Sequence, residues 1–169
     1  MSMRMEKGFG IWSREFAPDY TARESGLDAF VALDKAAPFV GAAAARAEAE
    51  DPLAAPVHAS GGLGAGRPRK LSLLELHTPG VDAVGYEPVW EGGSPSPGND
   101  TPVGFITSGE YGHSVGKSLA LAYIPADIAD AAARGEEPQL STHVLGELYP
   151  ATVLSQAPYD PSGARMRPK

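Results

Sequence analysis

Hydrophobic and polar positions follow one kind of pattern before residue 51 and another after residue 69. In the first part apolar residues come in short, mixed runs. "SMRMEKGFGIW" (2–12) interleaves Met, Phe, Ile and Trp with Arg4, Glu6 and Lys7 and breaks at Gly8 and Gly10, which predicts one or two helical turns ended by glycine. On this reading the sequence begins inside an element, with no capping residues ahead of it. "GLDAFVALDK" (26–35) sets Phe30, Val31 and Leu33 in a short strand-like run. "GAAAARAEAE" (41–50) favours helix by propensity and stops before Asp51-Pro52. Residues 52–69 are dense in Pro and Gly and carry no period, so they read as a linker or long surface loop and mark the domain boundary.

From residue 70 onward the pattern is that of strands: "KLSLLEL" (70–76), "GYEPVW" (85–90), "PVGFITS" (102–108) and "SLALAYI" (118–124). In the last of these Leu119, Leu121 and Tyr123 share one face, and Ala120, Ala122 and Ile124 share the other. Both faces are apolar, as a strand covered on two sides requires. "PADIADAAARG" (125–135) is a short helix closed by Gly135, and 139–146 with 148–156 form a hairpin around Gly146-Glu147. "EGGSPSPGND" (91–100) reads as a turn insertion. Short strands separated by turn residues predict a small antiparallel β-barrel or sandwich.

Composition narrows the classes. The chain has 169 residues, enough for one domain or for one domain with part of another. Hydrophobic residues make up 43% and mean hydropathy is −0.18, so a globular core is within reach. A net charge of −7 and a pI near 5.0 argue against a general nucleic-acid or membrane-surface binder. With no cysteine there is no disulfide framework, thiolate nucleophile or cysteine metal site. No apolar run nears the roughly 18 residues of a membrane span, and the N-terminus lacks a secretory pattern, so the expected location is the cytoplasm.

One stretch invites a nucleotide reading. "TSGEYGHSVGKS" (107–118) is glycine-rich and ends on Gly116-Lys117-Ser118. A phosphate loop needs glycine five positions before the Gly of Gly-Lys-Ser, and that position is Tyr111. A strand, not a helix, follows Lys117, so no helix N-terminus is offered to a phosphate. The stretch instead reads as a turn between two barrel strands.

Read together, 2–35, "PFVG" (38–41), "GYEPVW", "VGFITSGEYGHSVGKSLALAYIP" (103–125), "VLGELYPATVL" (144–154) and "PYDPSGARMR" (158–167) resemble the glycine-cleavage T-protein family. The subgroup they look most like is the folate-binding half of dimethylglycine and sarcosine dehydrogenases. Arg-x-Glu-Lys-Gly, Asp-Tyr-Thr and the Thr-Ser-Gly…Gly-Lys-Ser run carry the resemblance as an ordered set. It implies an α+β chain: the end of a folate-binding α/β region (1–51), a linker (52–69) and a C-terminal antiparallel β-barrel (70–169). It also implies a tetrahydrofolate-dependent aminomethyl transfer that yields 5,10-methylenetetrahydrofolate, with FAD held on a partner chain. The family's earlier lobes and the aspartate that assists its pterin chemistry have no counterpart here, nor is there a dinucleotide fingerprint. Residues 1–169 are therefore expected not to complete a folate site alone: they are one chain of a split enzyme or a remnant. The alternative is a non-catalytic barrel module docking on an FAD-dependent oxidoreductase.

The resemblance also nominates cofactor-binding residues. It implies Arg4 near the folate cavity, where a guanidinium could hold a pterin or carboxylate, with Glu6 as its neighbour; the other reading is a salt bridge that fixes the helix. Trp12 stands where an aromatic lines the cavity, or packs in the core. Tyr111 and His113 sit on the barrel loop facing the folate lobes. Arg165 and Arg167 form a basic tail that could pair with the anionic folate tail, and Lys117 could reach a carboxylate. Tyr20 is read as fixing its loop to the core. His58, His77 and His143 lack ligand spacing, so no metal is expected, and no catalytic residue is assigned.

Overall fold

The computed structural model describes residues 2–37, 39–51, 67–93, 95 and 101–167. The linker expected over 52–69 lies outside them except at 67–69, where Arg69 already opens the first strand. Six strands close into an antiparallel barrel: β1 (Arg69–Leu76), β2 (Pro88–Glu91), β3 (Gly104–Gly112), β4 (Lys117–Pro125), β5 (Leu140–Val144) and β6 (Glu147–Leu154). Their order around the barrel is β1-β4-β3-β2-β5-β6, and β1 pairs with both β4 and β6. Closure leaves no open edge in this sheet.

Alternation decides what fills the barrel. Leu74 and Leu76 of β1, Val89 of β2, Ile106 of β3, Ala120, Ala122 and Ile124 of β4, and Ala151 of β6 point into one shared core. Full burial of a Leu or Ile side chain contributes roughly 1.5–3 kcal/mol. Helix α3 (Ala126–Ala133) leaves β4 directly and adds Ile128 and Ala129 to this core. The hairpin between β5 and β6 turns on Leu145 and Gly146, with φ of 51° and 87°. Two consecutive left-handed residues match the right-handed twist of the flanking strands.

The outward face of β4 is also covered, as its two-sided apolar pattern predicts. Leu73, Leu119 and Leu121 pack outside the barrel on Met5, which is wholly buried. Met5 belongs to helix α1 (Ser2–Glu6), which lies across β3 and β4. Residues 2–25 thus form a strap over one side of the barrel. Helix α2 (Ala42–Glu50) follows later, joined to the strap by a 2.7 Å hydrogen bond from Thr21 Oγ1 to Glu48.

Two expectations need correction. Residues 26–35 form no strand: Asp28–Phe30 is a single 3-10 turn, and among the described residues no strand lies beside it to pair with. The "TSGEYGHSVGKS" stretch is mostly strand, because β3 runs through Thr107–Gly112 and the turn is confined to 113–116. Pairing of Glu110, Tyr111 and Gly112 with β4 holds these residues extended where turn residues alone suggested a loop. Among the described residues no helix is long and apolar enough to cross a membrane.

Gly109 marks a tight approach. A Cβ there would run into the backbone carbonyl of Ala83, which the loop before β2 lays over β3. Gly109→Ala is expected to lower stability by about 1–3 kcal/mol. Gly93→Ala, where a Cβ meets nothing within 4 Å, is expected to stay within about 0.5 kcal/mol of the parent. Urea unfolding of both variants checks the contrast, and equal midpoints would show the approach to be slack.

Candidate functional site

The strap meets the barrel through one buried carboxylate. Glu15 is fully buried, and its Oε1 accepts hydrogen bonds from Thr107 Oγ1 at 2.6 Å and Ser108 Oγ at 2.5 Å. Its Oε2 accepts from the Ile11 amide at 2.8 Å and from Arg4 Nη1 at 3.5 Å. Consecutive strand residues normally point to opposite faces, so two neighbouring hydroxyls reaching one carboxylate needs an irregular strand. The pairing of β3 with β4 shifts register between Ile106 and Ser108, and this bulge turns both hydroxyls toward Glu15.

The Glu15 main chain is held as well. Tyr123 OH donates to the Glu15 carbonyl at 2.7 Å, and Ser25 Oγ lies 2.9 Å from the same phenol oxygen. A phenol has one proton, so Ser25 is the donor to Tyr123. Tyr20 stacks on the Tyr123 ring at 3.8 Å, as expected of a residue that fixes its loop to the core. Burial pushes the Tyr123 phenol well above its ordinary pKa.

Electrostatics follow from this geometry. Burial pushes the Glu15 carboxyl up, but the hydrogen bonds from Ser108, Thr107 and Ile11, with the Arg4 charge, outweigh it and leave the pKa below its usual value. Burial lowers the Arg4 pKa against the pull of Glu15. Arg4 Nη1 also donates to Phe9 O at 3.0 Å, while its buried Nε has no acceptor.

The nominated residues fall into three places. Glu6 is buried, accepts the Ser114 amide at 2.5 Å through Oε1, and takes the Tyr159 amide at 3.2 Å on its carbonyl. Glu6 therefore ties α1 to the β3–β4 hairpin, while Arg4 turns to Glu15. Tyr111 is the penultimate residue of β3 in that hairpin, 37% exposed and edge-on to His113 at 5.1 Å. Trp12 lies apart, 75% exposed on the loop that bridges back to Phe16. Arg165 sits in the C-terminal 3-10 turn, donating to Tyr159 OH at 2.9 Å above that ring. Lys7 fastens this tail by bonds to Asp160, at 2.5 Å to its carbonyl and 3.2 Å to its carboxylate. Lys117 pairs with Glu75 at 2.6 Å. His77 bonds Thr152 at 2.8 Å, and His143 accepts from Trp90 at 3.0 Å.

Clefts among the described residues lie around this framework. One of about 280 Å³ lies between Lys7, Phe9, Gly163, Met166 and Arg167. Another of about 150 Å³ is walled by Arg14, Asp19, Tyr20, Tyr86 and Phe105. The others, about 180 and 110 Å³, lie around Arg23, Arg69 and Lys70, and between Val31, Leu33 and α2. Arg4, Glu6, Trp12, Tyr111 and Arg165 line none of them. A pterin needs a concave, mostly apolar site with convergent polar groups. Within this chain Arg4, Glu6 and Arg165 are engaged in internal bonds, and Trp12 stands apart from them. What the arrangement does is hold the strap on the barrel. Glu15, Thr107, Ser108 and Tyr123, which hold it, went unnominated; hydroxyls at 107 and 108 beside buried Ile106 were the available signal.

Fold and site together define a closed antiparallel barrel carrying an N-terminal strap locked by a buried carboxylate. Residues 69–160 match the profile of the glycine cleavage T-protein C-terminal barrel domain, and the chain belongs to that family. It is 34% identical to dimethylglycine dehydrogenase, mitochondrial, of Rattus norvegicus over 92% of this chain and 15% of that one. It is 31% identical to 4-methylaminobutanoate oxidase (formaldehyde-forming) of Paenarthrobacter nicotinovorans over 98% of this chain and 17% of that one. The chain thus spans about a sixth of the length of these relatives. The crystal structure of the glycine cleavage system aminomethyltransferase T of Bartonella henselae shares the fold, with a TM-score of 0.67 at 21% identity over 95% of this chain and 38% of that one.

The lowered Glu15 pKa fixes a sign. A carboxyl whose folded pKa lies below its unfolded value contributes stability above the unfolded pKa and loses it as pH falls through the folded one. Stability is therefore expected to fall on acidification below about pH 4.5, the ordinary glutamate value. In Glu15→Gln this loss is expected to flatten, while Glu15→Ala costs about 3 kcal/mol at pH 7. Denaturant unfolding between pH 3 and 7 measures both, and an unchanged acid slope in the Gln variant would remove Glu15 as the cause.

Proposed function

We propose that this chain is the barrel part of a tetrahydrofolate-dependent one-carbon transferase or methylated-amine dehydrogenase, and that it works with a polypeptide carrying the remaining lobes. The observation that carries this reading is the extent of the resemblance to dimethylglycine dehydrogenase. It runs through 92% of the chain, well beyond the barrel at 69–160. A barrel borrowed for another purpose would have no need of the strap. In this reading folate belongs to the assembled enzyme and FAD to the partner, and Tyr111 and His113 present the barrel's contribution from the hairpin end. The cytoplasm is the compartment we assign.

A second reading is favoured by the internal commitments of the charged residues. Arg4 is bound to Glu15, Glu6 to the hairpin amide and Arg165 to Tyr159. A chain whose charged nominated residues are all so engaged serves as a non-catalytic module that docks on an FAD-dependent oxidoreductase and shapes its cavity.

Calorimetric titration of tetrahydrofolate into the isolated chain is expected to give no saturable heat up to about 1 mM, a binding free energy weaker than about −4 kcal/mol. Micromolar binding by the chain alone would overturn the incomplete-site reading. In the assembled enzyme Tyr111→Ala is expected to slow one-carbon transfer about tenfold, equivalent to about 1.4 kcal/mol. Unchanged transfer alongside intact amine oxidation would select the docking-module reading.

A further inference from the structure

The cleft of about 150 Å³ between the strap and the loop before β2 holds none of the nominated cofactor residues, yet both its walls carry strained backbone. Ser13 and Tyr86 have φ of 73° and 72°, a left-handed conformation that non-glycine residues keep only where their surroundings impose it. At Tyr86 those surroundings are plain. Its amide donates to Ile106 O at 2.6 Å, and the Glu87 carboxylate accepts the Val84 and Gly85 amides at 2.8 Å each. The result is a phenol ring on the cleft wall that is 85% exposed and has no ring contact among the described residues. Opposite charges line the same space. Arg14 donates to Val84 O at 3.4 Å, and among the described residues neither it nor Asp19 has an ion-pair partner. Phe105 and Tyr20, both half-buried, complete the walls, and Tyr20 is fixed by its stacking on Tyr123.

We propose that this cleft binds a small zwitterion carrying a quaternary ammonium and a carboxylate, the betaine class. A guanidinium takes a carboxylate through paired N–H donors, and Arg14 offers such donors free of any acidic partner among the described residues. A quaternary ammonium has no N–H to donate, so it is held by aromatic rings and by negative charge. Tyr86 and Asp19 supply these beside Phe105 and Tyr20. One cation and one anion in the walls match a ligand of zero net charge. A cavity of about 150 Å³ holds a molecule the size of benzene, and the smallest betaines are close to that size. The strain at Tyr86 is then the cost of holding an aromatic ring beside Arg14 and Asp19. This inference stands apart from the folate and amine-oxidation readings, so its test uses neither and each can fail alone.

The test is a titration of glycine betaine into this chain, followed by amide chemical shifts. Saturating shifts at Ser13, Tyr86 and Phe105 are expected, with a Kd of about 5 mM or tighter. Glycine, which has no methyl groups, is expected to bind at least about tenfold more weakly. Arg14→Gln and Asp19→Asn are each expected to weaken betaine at least about threefold, acting on opposite ends of the ligand. Tyr86→Gly removes the ring from a backbone that suits glycine. It is expected to weaken betaine about tenfold while the melting temperature stays within about 2 °C of the parent or rises. The inference is overturned if about 50 mM betaine gives no saturable shift, or if glycine binds as well. Tighter binding of N,N-dimethylglycine than of betaine also overturns it, because the cleft would then be reading an N–H donor. So does a fall of more than about 2 °C for Tyr86→Gly, which would show the ring to be held for packing.

Discussion

The structure depends on keeping one ionised carboxylate out of water. Glu15 has no exposed surface, and an unpaired buried charge costs several kcal/mol. Four donors remove that cost, and they come from three places in sequence: Ile11 beside it, Arg4 in α1, and Thr107 and Ser108 in β3. None can be exchanged for solvent without leaving the charge unpaired. The strap therefore has one position on the barrel, and the bulge in β3 is the price of that position.

Fixing the strap explains the unusual face of β4. An antiparallel strand with a wet outer face would place polar residues where Leu119, Leu121 and Tyr123 stand. These positions are apolar because Met5 and Tyr20, carried by the strap, cover them. The same fixation sets the hairpin and the C-terminal tail, since Glu6 holds the Ser114 and Tyr159 amides and Lys7 holds Asp160. The N-terminal turn thus registers two segments that are distant in sequence. Continuity of the strap with the barrel is consistent with a resemblance to the relatives that runs past the barrel in both sequence and fold.

The barrel was legible because its cues are local and periodic. Alternation at 70–76 and 118–124, the helix before Gly135 and the Gly146 turn each appear within a residue or two of their expected places. The strap was not, because its logic is a set of bonds between residues more than ninety positions apart, such as Glu15 with Thr107 and Ser108. No period announces them. The nominated residues illustrate the same limit: sequence proximity suggested that Arg4 and Glu6 serve one site, whereas Arg4 turns to Glu15 and Glu6 to the hairpin. Trp12, read as lining a cavity or packing in the core, is not in this chain's core, because the loop from Ile11 to Phe16 is folded around Glu15 and turns the indole outward.

The misread strand at 26–35 differs in kind from these. Its alternation survives as half-buried Val31 and Leu33 beside exposed Ala32 and Asp34, but the backbone is a 3-10 turn at Asp28–Phe30 followed by a turn in which the Lys35 amide meets the Ala32 carbonyl at 3.4 Å. Local sequence encodes a side-chain pattern, whereas a strand requires a second strand, and the barrel has none to lend. The chain therefore divides by how its parts are satisfied. Residues 2–25 are fastened to the barrel by long-range hydrogen bonds, whereas 26–37 are held mainly by short-range turn bonds such as Phe30 N to Leu27 O and Val31 N to Asp28 O. Exposed large apolar side chains are spread over the molecule, at Met3 and Trp12 in the strap, Phe30 beyond it, and Tyr86 and Leu145 on the barrel loops, so they single out no one segment.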